Sequence, residues 1–377
     1  PIVATLFAVL YALLILAFPP SKSITRKFSI IFLACPISVA FFNHTKLYPN
    51  AVLCSMFGRF LLIWFAHMSH MVCIVEYAPT DTTPTKDKQE DLDWKQRTKQ
   101  AWTVLFDYDF NGRGAQNSAK HSHARTGFLL HHLNQIVMFY STMSAYETCV
   151  KTYIPFLRKN FPVDPSIGQH LTTLYDLFKI PLNWSIISML HFELYHSVFA
   201  LLFVGLGLDA HHTWSLALFG SIKDAWSVRR YWGKYWHKYV YYSFSAHVRA
   251  VTRGWMCLQK GCIATRLLEN TLVFTVSGLM HSMVSYVEFE GRRDVWSIAF
   301  WFTAQMLPIV LETLAQKLWT AVLGRASISR ASRQVRIFER IIGYLWVLSW
   351  FMWSIPVYEI MRDGLTLEMM RRRAREA

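Results

Sequence analysis

The sequence predicts an all-α, multi-pass membrane protein with about eight transmembrane helices, within a range of about seven to nine. Hydrophobic residues make up 53% of the 377 residues and charged residues only 17%, whereas about a quarter of a soluble domain is charged. The apolar residues are gathered into long blocks that polar stretches separate. Because lipid offers backbone groups no hydrogen-bond partner, blocks of this length predict membrane-spanning helices.

Eight apolar blocks define the predicted spans in chain order. They run at about 2–18, 28–42, 51–75, 126–150, 182–208, 267–287, 296–323 and 341–360. The block at 28–42 is shorter than the ~20 residues of a bilayer crossing, so we expect it to be tilted into thinner membrane or only partly inserted. The first block lacks the basic leader of a signal peptide, and we interpret it as a retained span.

A long polar segment at 76–125 separates the third block from the fourth. Its composition, which becomes aromatic at 102–110, predicts a cytosolic loop with an interfacial helix. Counting spans by parity places the basic tail at 371–375 on the wrong side of the membrane, so one segment is miscounted, and 213–222 is our candidate for it. We find no internal repeat and treat residues 1–377 as a single integral-membrane domain.

The distribution of charge and the spacing of the histidines argue against two functions, the binding of nucleic acid and the binding of metal ions. In a soluble protein a net charge of +15 would suggest nucleic acid, but these basic residues lie between apolar blocks, where anionic lipid headgroups account for them. We therefore expect a lipid bilayer and no nucleic acid as partner. The spacings of His67 with His70 and of His191 with His196 differ from those of a membrane di-iron site, so we predict no metal.

His281 is the residue with the strongest chemical signal. It lies ~14 residues into an apolar block, about 21 Å along a helix that rises 1.5 Å per residue. The neighbouring Ser277, Gly278 and Ser282 are small, which lets another helix come close and leaves space around the imidazole. An uncharged imidazole at this depth can accept a proton, so His281 is a candidate general base. A histidine that is hydrogen-bonded between two helices remains the alternative interpretation.

A second chemical pattern lies upstream, where aromatic rings alternate with basic side chains between Trp226 and Lys238. This alternation is typical of a membrane interface, with rings toward the acyl chains and cations toward the headgroups. The pattern alone does not distinguish an interfacial anchor from a binding segment.

These two elements together resemble the wax synthase domain of the membrane-bound O-acyltransferase superfamily. The first contains Phe219-Gly-Ser and Asp224-Ala-Trp-Ser-Val-Arg-Arg-Tyr-Trp-Gly-Lys-Tyr-Trp-His237, and the second is Val276-Ser-Gly-Leu-Met-His281. The resemblance covers about 215–290, which would be the catalytic core, and the fungal acetyltransferases of terpenoid and meroterpenoid pathways are the more similar branch. Tyr231 stands where Phe is usual, and Lys234-Tyr235 where Arg-Arg often stands.

The resemblance implies a fold like that of this superfamily and an acyl-CoA-dependent O-acyltransferase of the endoplasmic reticulum that needs no metal. It implies that His281 removes the proton of a hydrophobic alcohol, while His237 polarises or orients. Trp236 and Ser277 are the expected oxyanion or orienting residues, and acetyl-CoA is the expected donor. The cations expected to meet coenzyme A phosphates are Arg229, Arg230, Lys234 and Lys238.

Three other functions remain open on the sequence. A long-chain wax-ester or sterol-ester synthase would use the same chemistry with a longer acyl donor. A transporter should show two related halves with broken helices, and no such repeat is found. A membrane scaffold would explain the rings and cations, but it gives no reason for an isolated imidazole beside Ser277 and Gly278.

Overall fold

The computed structural model describes residues 1–18, 23–47, 51–79, 93–107, 125–149, 180–181, 183–214, 218–237, 241–291, 295–325 and 332–376. These ranges contain helices and no strand, which confirms the all-α class. The longer helices are α1 (Ile2–Ala17), α2 (Ile24–Phe42), α3 (Ala51–Ser69), α4 (Trp94–Leu105), α5 (Arg125–Thr148), α6 (Ser188–Gly205), α7 (Tyr241–Arg249), α8 (Ile263–Glu288), α9 (Trp296–Ala304), α10 (Met306–Arg325) and α11 (Arg333–Glu376).

All eight predicted apolar blocks are helical where they are described, and five stretches of the described chain are long and apolar enough to cross a membrane. These five are Ile24–Phe42, Ala51–Ile74, Asn183–Gly205, Trp296–Gly324 and Arg333–Arg362. Helix α1 is apolar but has only 16 residues, and the long helices α5 and α8 are not among the five. The described part of the chain is therefore all-helical and has the apolar helices of an integral membrane protein, and the count of eight spans stays a prediction.

Helix α2 begins earlier than the apolar block predicted, and at 19 residues it is long enough to span. The extension carries a buried arginine: Arg26 donates to the carbonyl oxygens of Ile15 at 2.9 Å and Tyr77 at 2.5 Å. Lys27 forms an ion pair with Glu76 at 2.5 Å. A charged residue can occupy this helix because backbone carbonyls accept from its Nε and Nη1, and hydropathy alone does not show such bonds.

Helix α4 lies inside the long polar segment, but it packs on the core of its unit. Ala101 and Leu105 are fully buried. Two side chains of α3 bond to the last carbonyls of α4, with Trp64 Nε1 donating to Leu105 O at 3.0 Å and His67 Nε2 lying 2.8 Å from Val104 O. These bonds satisfy helix-terminal acceptors that would otherwise need water. The aromatic residues at 108–110 lie outside the described residues.

Proline and π-helical turns interrupt several helices. Helix α9 ends at Ala304 and α10 begins at Met306, because Pro308 has no N–H to donate to the carbonyl of Ala304. The π-helical turns are His70–Ile74, Asn183–Ile187, Tyr231–Tyr235 and Ala250–Trp255. Such turns are frequent at functional sites, and one of them lies in the first motif element.

The chain divides into two compact units. Unit 1 comprises Pro1–Arg113, Lys238–Leu307 and Met361–Ala377, and unit 2 comprises Gly114–His237 and Pro308–Ile360. The main core of unit 1 is built from α1 to α4. Unit 2 contains α5 packed on α6, and it contains the first motif element. The prediction of one functional domain over the whole chain stays a prediction.

Candidate functional site

Gly220 brings the two ends of the first motif element together in unit 2. Its N–H donates to the carbonyl oxygen of Tyr235 at 2.9 Å. A Cβ atom at this position would lie 1.9 Å from the carbonyl oxygen of Lys234, so a side chain cannot fit against this backbone. The Phe219-Gly-Ser turn is thus fixed against residues that follow it by about fifteen positions.

The rings of this element pack on one another and on a second part of unit 2. Trp236 stacks on Trp184, with ring centroids 5.0 Å apart and planes at 9°, and on Tyr231 at 5.6 Å and 21°. The Tyr231 hydroxyl lies 3.2 Å from Ser185 Oγ, and burial raises the pKa of this phenol, which therefore stays protonated. The alternation of rings and cations had suggested a membrane interface, but Tyr231, Tyr235 and Trp236 are buried.

His237 ends the described part of this segment and lies at the edge of the ring cluster. Its half-buried imidazole is 4.8 Å from the ring of Phe192 and 6.0 Å from that of Phe219, measured between centroids. The ring faces of neighbouring Trp236 are occupied by stacking. His237 is therefore held among aromatic side chains.

Glu312 of α10 caps the helical turns that carry the motif. Its carboxylate, on a residue only 8% exposed, accepts hydrogen bonds from the backbone N–H groups of Val228 and Arg229, and from Trp346 Nε1 at 3.0 Å. A negative charge at this position favours the start of a helix. The sequence reasoning missed Glu312, although an acidic residue inside the apolar block at 296–323 was a usable signal.

The four predicted phosphate-binding cations have different environments. The Arg229 guanidinium donates to Thr313 Oγ1 and to the carbonyl of Ile309. Arg230 forms an ion pair with Asp224, and its guanidinium lies 4.7 Å from the ring centroid of Trp226. Lys234 is exposed. Lys238 lies outside the described residues.

His281 lies on α8 in unit 1, where α9 packs closely against it. Its half-buried imidazole stacks on the Phe302 ring at 4.3 Å, with the planes at 10°. A Cβ at Gly278 would lie 2.8 Å from the Ala299 backbone. Ser282 Oγ donates to Val295 O and accepts from Ala299 N, both at 3.0 Å. The expected close approach of another helix beside these small residues is confirmed.

The predicted site residues thus belong to two units, and within each unit different neighbouring residues contact them. His281 and Ser277 lie on α8 in unit 1, and Ser277 is half-buried there. The other described candidates, from Arg229 to His237, lie in unit 2. The chemistry available is an imidazole stacked on Phe302 in unit 1 and, in unit 2, a second imidazole in an aromatic cluster, with an exposed ammonium group three residues before it in the sequence.

Comparison with known proteins identifies a family for this region. Residues 214–305 match the family described as "Membrane bound O-acyl transferase family". The match includes both motif elements, so the resemblance inferred from the sequence is confirmed. No solved structure matches the chain.

Several curated fungal acetyltransferases are also similar to this chain. Acetyltransferase atnC of Arthrinium sp is 28% identical over 176 residues, which is 47% of this chain and 39% of the relative. Acetyltransferase aurG of Calcarisporium arbuscula is 31% identical over 44% of this chain and 38% of its own length. Acetyltransferase ataH of Aspergillus terreus is 27% identical over 69% of this chain and 88% of its own length. The chain thus spans less than half the length of the first two.

Proposed function

Because residues 214–305 match the membrane-bound O-acyl transferase family, we propose that the chain is an acyl-CoA-dependent O-acyltransferase embedded in a membrane. The observation that carries this proposal is that one family match includes both the aromatic-basic element and the His281 element. The similar proteins are named acetyltransferases, which supports acetyl-CoA as donor. The acceptor would be a hydroxyl group of a hydrophobic secondary metabolite, terpenoid or meroterpenoid in class.

His281 is the proposed general base. An alcohol is a weak nucleophile, so the imidazole takes its proton while the alcohol oxygen attacks the thioester carbonyl. A carbon–oxygen bond forms, the tetrahedral intermediate collapses, and the carbon–sulfur bond breaks. The leaving thiolate of coenzyme A then takes the proton from the imidazolium. Stacking on Phe302 supports this role, because a fixed ring orientation favours proton transfer.

The remaining candidates are assigned by chemistry. We assign to His237 the role of donating to the oxyanion or orienting the reactants, with Trp236 and Ser277 as further orienting residues. Coenzyme A would approach from the cytosol, where exposed Lys234 attracts its phosphates. Arg229, Arg230 and Lys238 complete the proposed basic surface. We also propose that the chain crosses the membrane eight times and that it lies in the endoplasmic reticulum.

The test uses the full chain in nanodiscs, with acetyl-CoA, a panel of terpenoid alcohols and release of the coenzyme A thiol as readout. His281→Ala should lower kcat by about 10²- to 10⁴-fold, the usual contribution of a general base. The matched control is His131→Ala, which removes an exposed imidazole from unit 2 and should leave kcat unchanged. If His281→Ala kept kcat within about threefold of the parent, His281 would not be the base.

Two further arms of the same assay test the cofactor assignments. Lys234→Ala should mainly raise the KM for acyl-CoA, because the lost attraction acts on binding of the phosphates. Palmitoyl-CoA is compared with acetyl-CoA as donor, with fatty alcohols added to the acceptor panel. A strong preference for the long donor would overturn the acetyl assignment and favour a wax-ester or sterol-ester synthase.

A further inference from the structure

A serine and a histidine of unit 1 form a hydrogen-bonded pair outside the candidate site. Ser69 is the last residue of α3, and His247 lies on α7. Ser69 Oγ lies 3.0 Å from His247 Nε2, although 178 positions separate the two residues in the sequence. Both side chains are half-buried, so each keeps an accessible part. The fold therefore joins a hydroxyl to an imidazole at a partly accessible position.

The second nitrogen of the imidazole fixes the direction of this hydrogen bond. His247 Nδ1 lies 2.7 Å from the carbonyl oxygen of Ser243. Because a carbonyl oxygen only accepts, Nδ1 carries the proton, and in the neutral ring Nε2 is an acceptor. The Ser69 hydroxyl is then the donor to Nε2. A serine that donates to a histidine whose other nitrogen is oriented by an acceptor has the arrangement of a nucleophile and its base.

A second contact between a serine and a histidine has the opposite direction. In unit 2, Ser197 Oγ donates to Gln135 Oε1 at 3.3 Å and lies 3.2 Å from His132 Nδ1. The amide oxygen uses the single proton of this hydroxyl, so His132 donates to Ser197 and cannot accept its proton. Ser197 is also 0% exposed. This contact joins α5 to α6, whereas the pair at Ser69 has the direction and the accessibility that a nucleophile requires.

Two further reactive side chains lie beside the pair. The ring of His70 packs on that of His247, with the centroids 6.3 Å apart. Cys73 lies within hydrogen-bond reach of Ser69, and its thiol can donate to the hydroxyl oxygen while the hydroxyl donates to His247. His70 and Cys73 both belong to the π-helical turn that follows α3, and such turns are frequent at functional sites.

The pair lies close to the polar segment that the sequence predicts to be cytosolic. This segment begins at 76, which is seven residues after Ser69 and therefore about 10 Å farther along a helix. Coenzyme A esters are water-soluble at their phosphate end and would approach from the cytosol. The acyl end of such an ester has to enter unit 1 by only a short distance to meet Ser69.

We infer that Ser69 is a nucleophile with His247 as its base, and that the pair hydrolyses an acyl thioester of coenzyme A. The Ser69 oxygen attacks the thioester carbonyl as its proton passes to His247 Nε2. The carbon–sulfur bond breaks, the proton goes to the leaving thiolate, and an acyl-serine remains. Water then attacks the acyl-serine and gives one proton to His247, and the serine oxygen leaves with that proton, which releases a carboxylic acid. The choice of thioester rests on the proposed function, whereas the nucleophile does not.

The reactivity of Ser69 is tested with a fluorophosphonate probe, which labels activated serines covalently, on the full chain in nanodiscs. Mass spectrometry should find the label on Ser69, and Ser69→Ala should remove it. His247→Gln keeps an acceptor for the hydroxyl but cannot take up its proton, so it should slow labelling by at least about 10²-fold. Ser197→Ala is the matched control and should be labelled at the rate of the parent. Absence of a label on Ser69 in the parent, or equal rates in the parent and His247→Gln, would overturn the inference.

Thiol release from acetyl-CoA without any alcohol measures the hydrolysis, and the His281→Ala chain separates it from acyl transfer. This chain should lose formation of the acetyl ester but keep the label on Ser69 and the alcohol-independent release. Adding Ser69→Ala should then lower the release by at least about tenfold, whereas Ser69→Ala alone should leave ester formation unchanged. Labelling and hydrolysis without ester formation in the parent would support the pair while the proposed function fails. Ester formation in the parent without labelling or hydrolysis would support the proposed function and overturn the pair.

Discussion

Because Gly220 has no side chain, the start of the first motif element can pack directly on the backbone near its end. The carbonyl of Lys234 occupies the space that a Cβ would need, at 1.9 Å. The N–H of Gly220 donates to the carbonyl oxygen of Tyr235. Gly233 lies in the same element, yet a Cβ there would meet nothing within 4 Å. The two glycines therefore form a matched pair.

Gly220→Ala should separate the Phe219 turn from the Lys234–Tyr235 backbone. Overpacking of this kind costs about 1–3 kcal/mol, so the unfolding midpoint should fall and kcat should fall with it. Thermal unfolding in nanodiscs and thiol release measure the two effects. Gly233→Ala should change neither, and equal behaviour of the two variants would contradict the role assigned to Gly220.

At the scale of single residues, the sequence predicted a feature only where the neighbouring residues in the chain are enough to reveal it. His281 was recognisable because an imidazole in an apolar block is costly wherever the chain folds. Gly220 lay within the recognised motif, but its function depends on a carbonyl that only the folded backbone places beside it.

At the scale of elements, two helices with residues in unit 2, α10 and α11, contact the first motif element and stabilise it. Glu312 of α10 accepts from the backbone at the start of the 228–235 turns, and Trp346 of α11 donates to the same carboxylate. A Cβ at Gly343 of α11 would lie 2.1 Å from the carbonyl of Trp226. The sequence predicted spans at these positions, but it did not show that two of them contact the motif segment, because the contact between Val228 and Glu312 connects residues over eighty positions apart.

Glu312→Ala should loosen the motif segment, because it leaves the N–H groups of Val228 and Arg229 without their acceptor in a buried site. We expect kcat to fall at least tenfold, with a smaller fall in Glu312→Gln, which keeps one accepting oxygen. The control is Glu339→Ala, which removes a bond of the same kind, from Trp319 Nε1 at 3.0 Å, between α10 and α11. Equal losses of kcat at equal losses of unfolding midpoint in both variants would show only a structural role for Glu312.

At the scale of the whole molecule, two long helices, α5 and α8, are not among the five candidate spans. Both use polar residues in contacts within their own units. On α8, Thr275 Oγ1 lies 3.1 Å from Thr303 Oγ1 of α9. On α5, His132 Nδ1 lies 3.2 Å from Ser197 Oγ of α6. Polar side chains of this kind join helices inside membranes. Low mean hydropathy in α5 and α8 therefore agrees with spans whose polar side chains face other helices.

Whether α5 crosses the membrane can be tested by adding one glycosylation acceptor on each side of it. Ala119→Thr completes an Asn-Ser-Thr acceptor that starts at Asn117, and His170→Asn completes an Asn-Leu-Thr acceptor that ends at Thr172, both outside the described residues. If 76–125 is cytosolic and α5 spans, only the His170→Asn chain meets the luminal enzyme, which modifies Asn-X-Ser/Thr. Expression in microsomes should then show a mobility shift that endoglycosidase removes for His170→Asn alone, with the parent chain as baseline. The same outcome for both variants would place both segments on one side of the membrane and remove α5 from the count of eight spans.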